Sequence, residues 1–138
     1  RILPVTSERS EVKLDAQRAD KRLAHWRGIV VAACEQSGRA TLPDVTAPQA
    51  LAQAAGLREG RGFILDPFAQ ASLSSVRDAS LRECTIAIGP EGGWSPRDRE
   101  QLVAAGYEGL RLGPRVLRTE TAGIAAIAAL QAACGDLG

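Results

Sequence analysis

The chain has 138 residues, of which 45% are apolar and only 4% aromatic, so it can bury one aliphatic, alanine-rich core. Its formal net charge of +1 gives no long-range field to draw in a polyanion, which excludes a stand-alone basic nucleic-acid-binding module. No apolar run approaches the ~20 residues that span a bilayer, and no signal peptide is visible.

Cys34, Cys84 and Cys134 are odd in number, widely spaced and without a CxxC or Cys/His pattern, so they indicate a reducing compartment, a core role and no zinc site. The only lysines are Lys13 and Lys21. That arginine and alanine bias reflects a GC-rich coding sequence more simply than a demand for guanidinium groups.

In chain order, residues 2–5 read as a short strand, followed by a polar segment over 6–10. From about 15 to 37 the pattern is helical: Leu23, Trp26, Val30 and Ala33 fall at i, i+3, i+7 and i+10 on one face. Gly38 is placed to end that helix with positive φ. Pro43 and Pro48 bracket a loop, and residues 49–55 form a short helix ended by Gly56. Residues 62–66 read as a buried strand stopped by Pro67.

Residues 84–88 form a second buried strand. Ser95 is a helix N-cap, with Pro96 at the first helical position and Asp98 three residues beyond the cap. Gly106 ends that helix and residues 107–112 lead into another strand. Residues 120–134 close the chain as a helix that is apolar on almost every side. Strands alternating with helices predict an α/β domain with a mostly parallel sheet and helices on both faces. A terminal helix that is apolar all round must be buried on all sides, either through the fold or against a second copy.

Two glycine-bearing strand ends carry the chemistry. Ile88-Gly89-Pro90-Glu91-Gly92-Gly93-Trp94-Ser95 closes one apolar strand. Leu112-Gly113-Pro114-Arg115-Val116-Leu117-Arg118-Thr119-Glu120-Thr121-Ala122 links another to the last helix. Glycines at such ends let backbone amides approach a ligand closely. The first loop alone is also ordinary turn chemistry, and it is neither a Walker loop nor a GxGxxG fingerprint. Arg111, Arg115 and Arg118 crowd the second loop, either as a solvated basic face paired with Glu91 or Glu120 or as a clamp for phosphate or base. Arg39 follows a helix C-terminus, where it suits the helix dipole. Arg9 has Glu8 and Glu11 as nearby partners. His25 reads as a surface residue, and Trp94 as packing on its turn.

Taken together, these loops resemble the second and third motifs of the SPOUT methyltransferases, most closely the bacterial enzymes that methylate uracil N3 in 16S ribosomal RNA. Residues 2–10, Glu35-Gln36-Ser37-Gly38-Arg39 and residues 123–130 fit the same family in order, so the resemblance covers nearly the whole chain. It implies a C-terminal trefoil knot, a homodimer and a cytoplasmic enzyme, with 16S RNA or the small ribosomal subunit as partner and neither membrane nor metal involved. It also implies that residues 1–138 are a catalytic domain without its N-terminal RNA-binding domain and first strand–helix unit.

The cofactor implied is S-adenosylmethionine, held by Leu65, Gly89, Pro90, Glu91, Gly92, Gly93, Leu112, Gly113, Arg115, Leu117, Thr121 and Ala122, with residues 63–65 as an apolar wall beneath the adenine. Catalytic roles fall to Arg118, Glu120 and Arg39, and RNA contacts to Arg9, Gln36, Arg39 and Arg115. Two other readings stay open: a SPOUT enzyme acting on a ribose 2′-hydroxyl, and a non-catalytic cofactor-binding or dimerisation fragment.

Overall fold

The computed structural model describes residues 1–10, 15–76, 81–135 and 137. At its centre is a three-stranded parallel sheet in the order β4-β3-β5, built from β3 (Arg61–Leu65), β4 (Cys84–Ala87) and β5 (Tyr107–Leu110). A separate parallel pair joins β1 (Val5–Thr6) to β2 (Gln49–Ala50), extended by a bridge from Ile2 to Val45. Among the described residues every strand pairing is parallel, as the alternation of strands and helices predicts.

The middle strand β3 is covered on both sides, which is why Gly62-Phe63-Ile64 reads as a continuous buried run. Ile64 packs on one face with Leu51 and Ala55 of α2 (Leu51–Ala55), Leu102 of α3 (Pro96–Ala104), Trp94 and Tyr107. Phe63 packs on the other with Val76, Leu110 and Leu130 of α4 (Thr119–Cys134). Phe63 and Ile64 are 1% and 2% exposed, each stabilising the fold by roughly 1.5–3 kcal/mol. Tyr107 and Leu110 stand three residues apart on β5 and therefore serve opposite faces.

Helix α1 (Ala16–Ser37) starts at Asp15, whose carboxylate accepts from the Arg18 N–H, and ends at Gly38 with φ 72°. Its inward stripe is Leu23, Trp26, Val30 and Cys34. Cys34 takes the place expected for Ala33, which is exposed: eleven residues after Leu23 is about three full turns, so Cys34 stays on the stripe that faces the residue 39–48 loop. There Arg27 donates two N–H groups to the Val45 carbonyl, at 3.3 and 3.0 Å. Gly56 caps α2 with φ −68°, so no left-handed residue is needed there.

The last helix departs from its expected burial within one copy of the chain. Gly123, Ala126 and Leu130 are buried, whereas Ile124 and Ile127 are 73% and 54% exposed. One copy of the chain covers only a single stripe of an all-apolar cylinder. Among the described residues, no helix is long and apolar enough to cross a membrane.

Candidate cofactor and RNA site

The C-terminal ends of β3, β4 and β5 open on one cavity of about 570 Å³. Its walls combine Leu65, Asp66 and Pro67 after β3 with residues 88–91, Gly93 and Trp94 after β4. Leu110, Leu112, Gly113 and residues 115–120 with Ala122 complete it after β5. Ligands of open parallel sheets bind at this end, where the loops diverge.

The β4 loop is held in shape from three sides. Gly93 donates its N–H to the Pro90 carbonyl at 2.8 Å and adopts φ 69°, which a residue with a Cβ rarely does. Ser95 and Asp98 form the capping box of α3: the Asp98 N–H donates to Ser95 Oγ and the Ser95 N–H to Asp98 Oδ2. Thr119, the first residue of α4, donates its hydroxyl to the Gly89 carbonyl at 3.1 Å, joining the two glycine loops directly.

Most of the expected cofactor residues meet here. Leu65, Gly89, Pro90, Glu91, Gly93, Leu112, Gly113, Arg115, Leu117 and Ala122 line the cavity, as do Arg118 and Glu120. Gly92 does not: its carbonyl accepts from Arg9 Nη1 at 2.7 Å, and a Cβ there would face Arg9 Cδ at 3.6 Å rather than the cavity. Thr121 does not either, because the helical turn that carries Glu120 and Ala122 to the wall directs it outward, where it is exposed. Phe63 and Ile64 belong to the core, leaving Leu65 as the apolar wall.

Arg115, Arg118 and Glu120 are exposed at the rim, and neither Glu91 nor Glu120 pairs with Arg118 among the described residues. Arg9, Gln36 and Arg39 lie outside the cavity wall. Arg39 donates Nε to the Thr41 carbonyl, so it fastens the turn after α1. Glu8 pairs with Arg97 instead of Arg9, and Glu11 lies outside the described residues. His25 is exposed, and Trp94 is buried against Gly89 with its indole N–H unpartnered.

Sequence reasoning passed over Asp66, Pro67, Val116 and Thr119 in the wall. Asp66 immediately before the strand-stopping Pro67 was the available signal. Burial alone would raise its carboxyl pKa, but hydrogen bonds from Arg99 and the Phe68 N–H, with the charge of Arg99, hold it below the usual range.

The cavity also fits the implied cofactor. It combines an aliphatic floor at Leu65, Leu110 and Leu112 with two glycine-bearing backbone segments. A Cβ built on Gly93 or Gly113 meets nothing within 4 Å, so these two loops leave open space beside their backbones. Among the described residues, no group of His, Cys, Asp and Glu could hold a metal ion.

A parallel α/β domain with two glycine loops joined over one cavity at its strand ends defines a class, and sequence comparison agrees: the chain belongs to the RNA methyltransferase domain family, matched over residues 1–131. Its relatives are more particular. It is 33% identical over 138 residues to the ribosomal RNA small subunit methyltransferase E of Buchnera aphidicola from Schizaphis graminum, covering 99% of this chain and 56% of that one. Over 141 residues it is 34% identical to the Bacillus subtilis protein of the same name, covering 94% and 54%.

Among solved structures, a Legionella pneumophila methyltransferase in complex with bound SAM superposes with a TM-score of 0.92 at 38% identity, covering 99% of this chain and 56% of that one. The Neisseria gonorrhoeae ribosomal RNA small subunit methyltransferase E, bound to S-adenosyl methionine, gives 0.88 at 41%, covering 99% and 57%. The chain thus spans a little over half the length of these relatives.

Proposed function

We propose that this chain is the catalytic unit of a protein that methylates N3 of a uridine in 16S ribosomal RNA with S-adenosylmethionine. The observation that carries the reading is the convergence of both glycine loops on one cavity whose rim holds Arg118 and Glu120, neither in an ion pair among the described residues. The names of the relatives support the RNA class, and the two SAM-bound neighbours support the cofactor.

When bound, the cofactor supplies a methyl group made electrophilic by its sulfonium. The chain's own task is to position the uridine and manage its proton. N3 carries an imide proton and is sealed in any base pair, so the base must be unpaired or extruded to enter the cavity. Arg118 stabilises the negative charge that develops on the uracil, and Glu120 accepts the N3 proton. Arg115 at the rim, with Arg9, Gln36 and Arg39 on the exposed surface, contacts the RNA backbone. A net charge of +1 leaves most phosphate affinity to a further RNA-binding part of the full-length protein.

The exposed Ile124 and Ile127 support a homodimer through α4. Mass spectrometry of nucleosides from 16S RNA incubated with the full-length protein and cofactor tests the reaction: 3-methyluridine is expected, and a 2′-O-methylated nucleoside refutes the uracil assignment. In single-turnover assays, Arg118→Ala and Glu120→Gln are expected to lower the rate by ~10²–10³ while cofactor affinity is kept. Unchanged turnover in both removes them from the mechanism.

A further inference from the structure

Asp66 is an ionised group in the wall of an otherwise aliphatic cavity section, and no step above uses it. It follows the last residue of β3, is 6% exposed, and lies among Leu65, Pro67, Leu110 and Leu112. Its position is fixed on three sides: its N–H donates to the Leu110 carbonyl at 3.0 Å, Oδ1 accepts from the Phe68 N–H at 3.1 Å, and Oδ2 accepts from Arg99 Nη2 at 2.7 Å. Arg99 reaches in from α3, is partly solvated and does not line the cavity. The carboxylate is therefore held from outside the cavity, with one donor on each oxygen. A carboxylate offers about four acceptor positions, so roughly two are not used by these donors. Burying a charge in an apolar wall is costly unless its acceptor capacity is used.

We propose that Asp66 selects the adenosine half of the cofactor, accepting a hydrogen bond from one of its donors, the exocyclic N6 amino group or a ribose hydroxyl. The assignment rests on the S-adenosylmethionine reading. A site built around a buried acceptor discriminates strongly against an analogue that lacks the donor, because the acceptor is then left unpaired. The competing role is a plain tie between α3 and β3, which would affect every ligand alike.

Calorimetric titration of the full-length protein with S-adenosylhomocysteine, S-inosylhomocysteine and the 2′- and 3′-deoxy forms of S-adenosylhomocysteine separates the two. Wild type is expected to bind one analogue roughly 10- to 100-fold more weakly than S-adenosylhomocysteine, as for a hydrogen bond to a charged group. The inosine arm identifies the amino group and the deoxy arms a hydroxyl. In Asp66→Ala that preference should collapse to within about two-fold, while Asp66→Asn, which keeps an acceptor oxygen, retains part of it. Arg99→Ala should weaken all four ligands together and keep the preference. Wild type showing no preference, or Asp66→Ala and Asp66→Asn weakening all four ligands by one common factor, overturns the assignment. A wild-type protein that binds no S-adenosylhomocysteine overturns the cofactor reading itself and this assignment with it.

Discussion

Replacing Asp98 by Ala tests how the cofactor loop is held. Asp98 is 3% exposed, and its carboxylate accepts the Ser95 N–H at 3.2 Å and the Glu8 N–H at 3.4 Å at the start of α3. Removing it breaks the reciprocal half of the capping box, while the Ser95 Oγ cap on the residue-98 N–H survives. A loss of ~0.3–1 kcal/mol goes with the negative charge at a helix N-terminus. The Ser95 N–H is then left without an acceptor in a buried position, which costs ~1–3 kcal/mol. These contributions overlap, so the expected destabilisation is about 1–4 kcal/mol, or roughly 3–15 °C in melting temperature for a domain of this size. Because Ser95 directly follows the Gly89–Trp94 loop, cofactor affinity should fall with stability. Asp98→Asn, which keeps one acceptor oxygen, should lose less than half as much. Chemical denaturation and calorimetric titration of both variants provide the measurement. Asp98→Ala within about 0.5 kcal/mol of wild type would refute the account of the loop as anchored from α3.

Thr119→Val keeps shape but removes the donor to the Gly89 carbonyl, so cofactor binding should weaken by roughly 5- to 10-fold with little change in unfolding free energy; unaltered affinity speaks against a loop-to-loop latch. For the homodimer proposed through α4, Ile127→Glu should give monomer or aggregate in light scattering, since an unpaired charge buried at such an interface costs several kcal/mol; a stable dimer in that variant would move the proposed interface away from α4. The pKa of Asp66 is lowered in the folded state, so the stability it contributes is present above its unfolded value of about 3.9 and lost as pH falls through the folded one. The stability gap between wild type and Asp66→Asn should therefore narrow as pH falls below about 5, and a gap that stays constant down to full protonation of the carboxylate would show that the charge contributes nothing.

Local chemistry was legible where a residue's role depends on its neighbours in the chain. The Ser95-Pro96-x-Asp98 cap, the left-handed Gly38, the strand stopped at Pro67 and the parallel alternation of elements all follow from spacing and backbone preference, and the structure has each of them. The two glycine loops announced a site for the same reason, since each is a contiguous string. What one residue faces across space was beyond that reach. Gly92 and Gly93 are identical in sequence, yet Arg9, 83 positions away, occupies the side of Gly92 on which a Cβ would stand, while Gly93 faces the cavity. Asp66 reads from the sequence as the last residue of a strand stopped by Pro67; its pairing with Arg99, 33 positions on, and its place in the cavity lining come from the fold. Hydropathy and turn propensity act over a few residues, and long-range partners are chosen by the packing of α3 and α4 against opposite faces of one sheet.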